Sequence, residues 1–171
     1  SLSTNPSILL NFNKSNANTT FIPNRDNQGL IIDTQYQKVI MAGYPRYNGR
    51  PLDREKVKEI IYNNEINQIK EIDGSFIIIN IIPKSYIQII TDRFLSEKLY
   101  IYQSTNNIIL GNNLSNVCKF AIKNNWPLNI NKDSIFEFIY FRRLFGKKTI
   151  FKEINLIEPK TITKVSSKKV S

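Results

Sequence analysis

The residues able to do chemistry are few, and their types exclude more than they allow. The 171 residues contain no histidine, which removes a Ser-His-Asp triad, a His-Glu-x-x-His zinc site and any imidazole base or ligand. The one cysteine, Cys118, rules out an internal disulfide and a Cys-rich zinc or iron–sulfur site. It sits mid-chain with no imidazole to activate it and reads as a small buried apolar residue. Neither a Walker A sequence nor a Gly-x-Gly-x-x-Gly run occurs. Carboxylate or nucleotide chemistry survives these exclusions, as does a binding role.

Charge is the other chemical feature. The formal net charge is +10, and residues 119–171 hold 12 Lys/Arg against 4 Asp/Glu, whereas residues 1–118 hold 12 against 10. A stripe of this kind fits phosphate or an acidic partner surface. The composition offers a plainer account: isoleucine (29), asparagine (22) and lysine (17) dominate the chain, and a Lys-rich solvated surface follows without any ligand. Within the stripe, Tyr140, Phe141, Arg142, Arg143, Phe145, Lys147 and Lys148 interleave aromatic and cationic side chains, the pattern of a basic anion- or nucleic-acid-binding module. These aromatics fall at core-type helical positions, which argues against stacking on bases.

The elements that must position these residues follow from periodicity. Ile8 to Phe12 reads as a first strand and Asn13 to Thr20 as a loop. Gly29 to Asp33 and Lys38 to Ala42 form a hairpin around four polar residues, and Tyr44 to Pro51 reads as an irregular loop with Asn48-Gly49 as a turn. Asp53 caps a helix running to about Tyr62, with Val57, Ile60 and Ile61 inward. Ser75 to Ile82 is nearly continuous isoleucine, as a strand buried on both faces requires. It turns at Pro83-Lys84-Ser85 and returns as Tyr86 to Thr91. Leu99 to Tyr102 and Ile108 to Leu110 make another hairpin, and Ser115 to Lys123 a helix with Val117, Cys118 and Ala121 inward. Asn131 or Asp133 caps a helix from Ser134 to Phe145, ended by Gly146 and apolar almost all round, which predicts burial on more than one side. Thr149 to Phe151 and Thr161 to Val165 read as short strands. The class is α+β with mainly antiparallel sheets. No apolar run approaches the roughly 18 residues of a membrane helix, and none at the start reads as a signal peptide. A cytoplasmic location without membrane association is the expectation.

From Asp73 onward the sequence resembles the glutaminase-type N-terminal domain of asparagine synthetase B and its relatives. An acid-Gly-x-Phe strand start appears as Asp73-Gly74-Ser75-Phe76. An Arg-Asp-Arg-x-Gly-x-Lys-Pro-Leu-Tyr-Tyr pattern appears as Thr91-Asp92-Arg93 continuing to Leu99-Tyr100-Ile101. A Thr-x-Phe-x-x-Ile-x-x-Leu-x-Pro-Gly signature, the most specific of the three, appears as Thr149-Ile150-Phe151-Lys152-Glu153-Ile154 and Asn155-Leu156-Ile157-Glu158-Pro159-Lys160. The resemblance covers roughly residues 39–165. It implies an N-terminal-nucleophile αββα sandwich over residues 1–165. Asp73, Gly74, Phe76, Asp92, Arg93, Leu99, Tyr100, Thr149, Phe151, Ile154, Leu156 and Pro159 are then structural positions of the motif.

In that family an N-terminal Cys attacks the glutamine amide with its own amine as base. This chain begins with Ser1 in a polar stretch, and the first apolar strand starts seven residues later. The Asn of the family's Asn-Gly-Glu oxyanion segment is replaced at Ala42-Gly43-Tyr44-Pro45, with Asn48-Gly49 as a displaced copy at best. No Gly-Ser-Asp follows Gly49, and Asn63 to Asn67 is a poor substitute. The expectation is therefore a domain with no catalytic or metal-binding residues. It resembles the degenerate N-terminal domains of β-lactam, carbapenam and macrolactam synthetases. Its implied role is a scaffold for an ATP- and Mg-dependent amide-forming synthetase domain, in cis or as a separate subunit. No cofactor is expected in the domain itself. Residues 166–171 read as the start of a linker to that domain, whose Ser-Gly-Gly-x-Asp-Ser motif is not in this sequence. An active amidotransferase remains the alternative if Ser1 or a residue upstream supplies the nucleophile, and the anion-binding module is a second alternative. A homodimer is left open.

Overall fold

The computed structural model of the chain describes residues 9–13, 18–21, 30–34, 36–63, 66–82, 85–104 and 107–166. In chain order these residues form β1 (Leu9–Asn13), β2 (Asn18–Phe21), β3 (Leu30–Asp33), β4 (Lys38–Tyr47), β5 (Arg50–Pro51), α1 (Arg54–Tyr62), α2 (Ile66–Lys70), β6 (Asp73–Ile82), β7 (Tyr86–Thr91), β8 (Tyr100–Gln103), β9 (Asn107–Gly111), α3 (Leu114–Lys123), α4 (Lys132–Phe141), β10 (Ile154–Leu156) and β11 (Ile162–Ser166). The fold is mixed α and β, and every strand pairing is antiparallel. Packing divides it into two compact units. The first holds the sheet ordered β10-β8-β9-β1-β2 with α3 and α4, and the second holds the sheet ordered β11-β7-β6-β4-β3 with β5, α1 and α2. Among the described residues no helix is long and apolar enough to cross a membrane.

β6 is the centre of the second unit. Its six residues from Phe76 to Ile81 are all buried, as the isoleucine run predicts for a strand with no solvent face. Phe76 and Ile78 point to the side covered by Val57, Ile60 and Ile61 of α1 and Ile69 of α2, with Met41 and Ile90 from the neighbouring strands in the same cluster. Each of these aliphatic side chains contributes about 1.5–3 kcal/mol by leaving water. Asn80 shares that parity of the strand. It is buried yet satisfied, since Gln37 Nε2 donates to its Oδ1 at 2.6 Å and its Nδ2 donates to Gln88 Oε1 at 3.2 Å.

α1 starts where the sequence predicts. The Asp53 carboxylate accepts from Lys56 N at 2.8 Å, taking one of the first-turn donors that the helix itself leaves free. Asn63 closes its far end. α2 was not expected from the sequence; it is a single short turn of helix that sets Ile69 into the core.

Strand pairing extends further than expected in two places. Asn18 to Thr20 is not loop but part of β2, which pairs with β1. β4 runs on through Tyr47, and Asn48 (φ 51°) and Gly49 (φ 73°) close a two-residue hairpin to β5. β4 and β6 approach closely at two glycines, Gly43 (φ 88°) and Gly74 (φ 104°). A Cβ on Gly43 would overlap the Ser75 carbonyl oxygen, and one on Gly74 would overlap that of Tyr44.

The first unit has its own core. Tyr102 of β8, Ile109 of β9, Val117 and Ala121 of α3 and Ile154 of β10 are buried together. Trp126 stacks on Tyr102 at 5.6 Å between ring centroids and meets Phe120 edge-on at 5.8 Å. α3 begins on Asn113, whose side chain accepts from Asn116 N.

Gly74→Ala is expected to cost about 2–4 kcal/mol in urea unfolding, through strain at positive φ together with the carbonyl overlap. Gly49→Ala, with nothing within 4 Å of the new methyl, carries the φ penalty alone, about 1 kcal/mol. Equal costs at the two positions would contradict the close approach of β4 and β6.

Candidate functional site

Asp92 follows β7 and is 2 % exposed. Its carboxylate accepts from Phe94 N at 2.8 Å, Ser96 N at 3.0 Å, Ser96 Oγ at 3.2 Å and Phe76 N at 3.3 Å. Its backbone carbonyl accepts from Lys160 N at 2.8 Å, and its own N–H donates to Phe76 O. One residue therefore ties β6, the turn after β7 and the entry to β11. With its oxygens committed to backbone donors it is a structural clamp and not a general base. Arg93, next to it, is exposed, with its guanidinium over the Phe94 ring at 5.7 Å.

Asp73, Phe76, Asp92 and Arg93, recognised in the sequence as separate motif positions, line one cavity of about 530 Å³ in the second unit. Lys160 and Thr161 close its other side. Residue order alone offers no link between Lys160 and Asp92, because the two meet only through the pairing of β11 with β7. Pro159 lies exposed just ahead of Lys160.

The remaining motif positions gather in the first unit. Leu99 and Ile154 are fully buried, and β10 pairs with β8 so that Ile154 sits opposite Tyr102 and Leu156 opposite Tyr100. Phe151 and Tyr100 flank the same aromatic cluster. Thr149 is buried; its hydroxyl donates to Ile154 O at 2.7 Å and accepts from Phe151 N at 3.1 Å. This closes a loop, and Thr149 to Phe151 is therefore not the strand the sequence suggested. The strand falls at β10. Glu153 in that loop accepts from Asn129 N at 2.8 Å and Asn129 Nδ2 at 2.6 Å. Burial raises its carboxyl, but those two hydrogen bonds prevail and hold it below the ordinary glutamate value. Cys118 is half-buried and burial pushes its thiol up, which keeps it protonated and unreactive.

α4 departs most from expectation. Asn131 caps it, its side chain accepting from Ser134 N, but the helix ends at Phe141, with Arg142 left-handed (φ 55°), and does not continue to Phe145. The Glu137 carboxylate accepts from Phe145 N at 2.8 Å and pairs with Lys148, folding the segment back. That pairing, first the bond from Lys148, lowers the Glu137 carboxyl. The expected burial on more than one side does not occur. Ser134 alone of the helix is buried, while Tyr140 is 82 % exposed and Phe136, Phe138, Ile139 and Phe141 are also exposed. The premise that these aromatics sit at core positions is thus overturned. Part of the basic stripe is internally paired: Lys148 with Glu137 and Lys147 with Glu158. Arg143 lies over Phe145 at 4.4 Å.

Of the segments compared with a glutaminase site, Ala42 is buried within β4 and Asn48-Gly49 is the hairpin turn. Asn63 caps α1, and Asn67 lies on α2. Ser1 lies outside the described residues. Among the described residues no three His, Cys, Asp or Glu gather as metal ligands. No protein-family model matches the chain, and no curated protein matches it.

Asp92→Ala is expected to cost about 3–5 kcal/mol, since buried backbone donors at Phe76, Phe94 and Ser96 lose their acceptor. Urea unfolding measures it. Glu97 titrates the same turn: partial burial first, then the Asp92 carboxylate, pushes it up. A carboxyl raised on folding binds more protons folded than unfolded, so its contribution to stability falls as pH rises from the ordinary value of 4.5 through the raised one. Glu97→Gln is expected to raise the urea midpoint at about pH 7 and to leave it unchanged near about pH 3.

Proposed function

We propose that this chain is a glutaminase-like domain without glutaminase activity that docks onto an asparagine synthetase-related, ATP-dependent amide-forming partner. The observation that carries the reading is the outward face of α4. Phe136, Ile139 and Tyr140 stand at i, i+3 and i+4, share one side of the helix and are exposed, with Arg142 and Arg143 at its end. A contiguous apolar face bordered by cations is how a protein–protein docking surface looks. The reading carries an N-terminal-nucleophile αββα arrangement with it, and two antiparallel sheets, each with its own helices, are compatible with that. The motif positions support a structural role: Asp92 and Thr149 spend their polar atoms on nearby backbone, and Ala42 offers no side-chain donor to an oxyanion. ATP and Mg²⁺ belong, on this reading, to the partner domain.

The same exposed aromatics favour a second reading, a basic module that stacks single-stranded nucleic acid or binds another anion. The two readings separate by salt dependence, because binding through phosphates weakens steeply as salt rises.

The purified chain is expected to release no ammonia from L-glutamine above a blank; enzyme-dependent release would restore the active amidotransferase. Phe136→Ser with Tyr140→Ser is expected to change urea stability by less than about 0.5 kcal/mol, as exposed substitutions do. The double variant should abolish co-elution with a synthetase chain or domain, encoded alongside, that carries Ser-Gly-Gly-x-Asp-Ser. Co-elution unaffected by the variant would count against docking through α4. Salt-sensitive binding of an oligo-dT, lost in the same variant, would favour the second reading.

A further inference from the structure

The cavity of the second unit serves neither reading above, and it has the make-up of a ligand site. We propose that it binds a small amphipathic carboxylate, with the apolar body on Ile69, Phe76 and Ile162 and the anionic head among Lys70, Arg93 and Lys160. The volume of about 530 Å³ lies within the range of small-molecule sites. The floor is hydrocarbon, with Ile69 and Phe76 both 2 % exposed and part of the core cluster. The three cations at the mouth are exposed, and among the described residues none of them forms an ion pair.

The acids of the same cavity do not cancel that charge. Asp92 is committed to the donors of Phe76, Phe94 and Ser96. Glu71 stands near the Tyr47 phenol, which burial first and then the Glu71 carboxylate push up. Glu71 and Asp73, the exposed acids of the lining, stand against three exposed cations, an excess of one positive charge, so the mouth favours an anion over an ammonium head.

Lys160 supplies an independent observation. Its backbone is left-handed (φ 52°), a conformation in which glycine is the unstrained residue. It is held there by its N–H, which donates to Asp92 O at 2.8 Å, and by Thr161 N, which donates to Thr91 Oγ1 at 3.2 Å. A lysine at a position whose backbone calls for glycine points to a role for the side chain, and that side chain lines the cavity.

Amide NMR titration of the whole chain with octanoate, octan-1-ol and acetate tests this. Octanoate is expected to give saturable shifts at Lys70, Arg93, Lys160 and Thr161, with octan-1-ol at least tenfold weaker and acetate without effect. Lys160→Gly relieves the backbone and is expected to raise Tm while weakening octanoate at least fivefold; Arg93→Gln with Lys160→Gly weakens it further. Octanoate shifts centred on Phe136 and Tyr140, octanol binding as tightly as octanoate, or a Lys160→Gly chain that binds octanoate as the parent does would each overturn the proposal.

Discussion

A strand that is buried on both faces constrains everything packed around it. β6 exposes none of Phe76 to Ile81, so its backbone must be paired on both edges and its side chains covered above and below. β4 and β7 take the edges, and α1 and α2 cover Phe76 and Ile78. The close passage of β4 past β6 leaves no room for a Cβ at Gly43 or Gly74. At the end of the strand, Asp92 binds Phe76 N and anchors the turn that leads away from β7. Burying a carboxylate is costly unless donors surround it, and here the donors come from β6 and from the turn after β7, so the charge is stabilised only when both are in place.

The first unit solves a similar problem with aromatics. Tyr102, Trp126 and Phe120 fill the space between β8 and α3, and the Tyr102 hydroxyl donates to Pro127 O at 3.1 Å. On α4 exposed apolar side chains gather on one short helix. Phe136 and Ile139 forgo the roughly 1.5–3 kcal/mol that covering each would contribute. A helix of this composition gains by being covered, and that unfulfilled gain is the physical basis for the proposal that a partner covers α4.

Much of this was legible in the residues. The isoleucine run announced β6, Asp53 announced α1, the pair Asn131 and Asp133 bracketed the start of α4, and the Asn48-Gly49 dipeptide announced a turn, because each rests on interactions within a few residues of sequence. Periodicity failed for α4. An apolar helix reads as buried whether its cover is the same chain or another molecule, and nothing local distinguishes the two. It also misplaced the late strand, because Thr149 uses its hydroxyl to close a loop where its β-branched neighbours suggest extension.

The sequence by itself determined the absence of histidine chemistry, the antiparallel α+β class and the Asp53-capped start of α1, since these depend on residue type and short-range spacing. The cavity, the commitment of Asp92 to four donors and the exposure of α4 were decided by tertiary structure alone. Asp73, Asp92 and Lys160 are separated by up to 87 positions in the chain and become neighbours only because β6, β7 and β11 pair side by side. Whether a carboxylate is free or spent, or an aromatic covered or bare, is a property of what stands across from it in space.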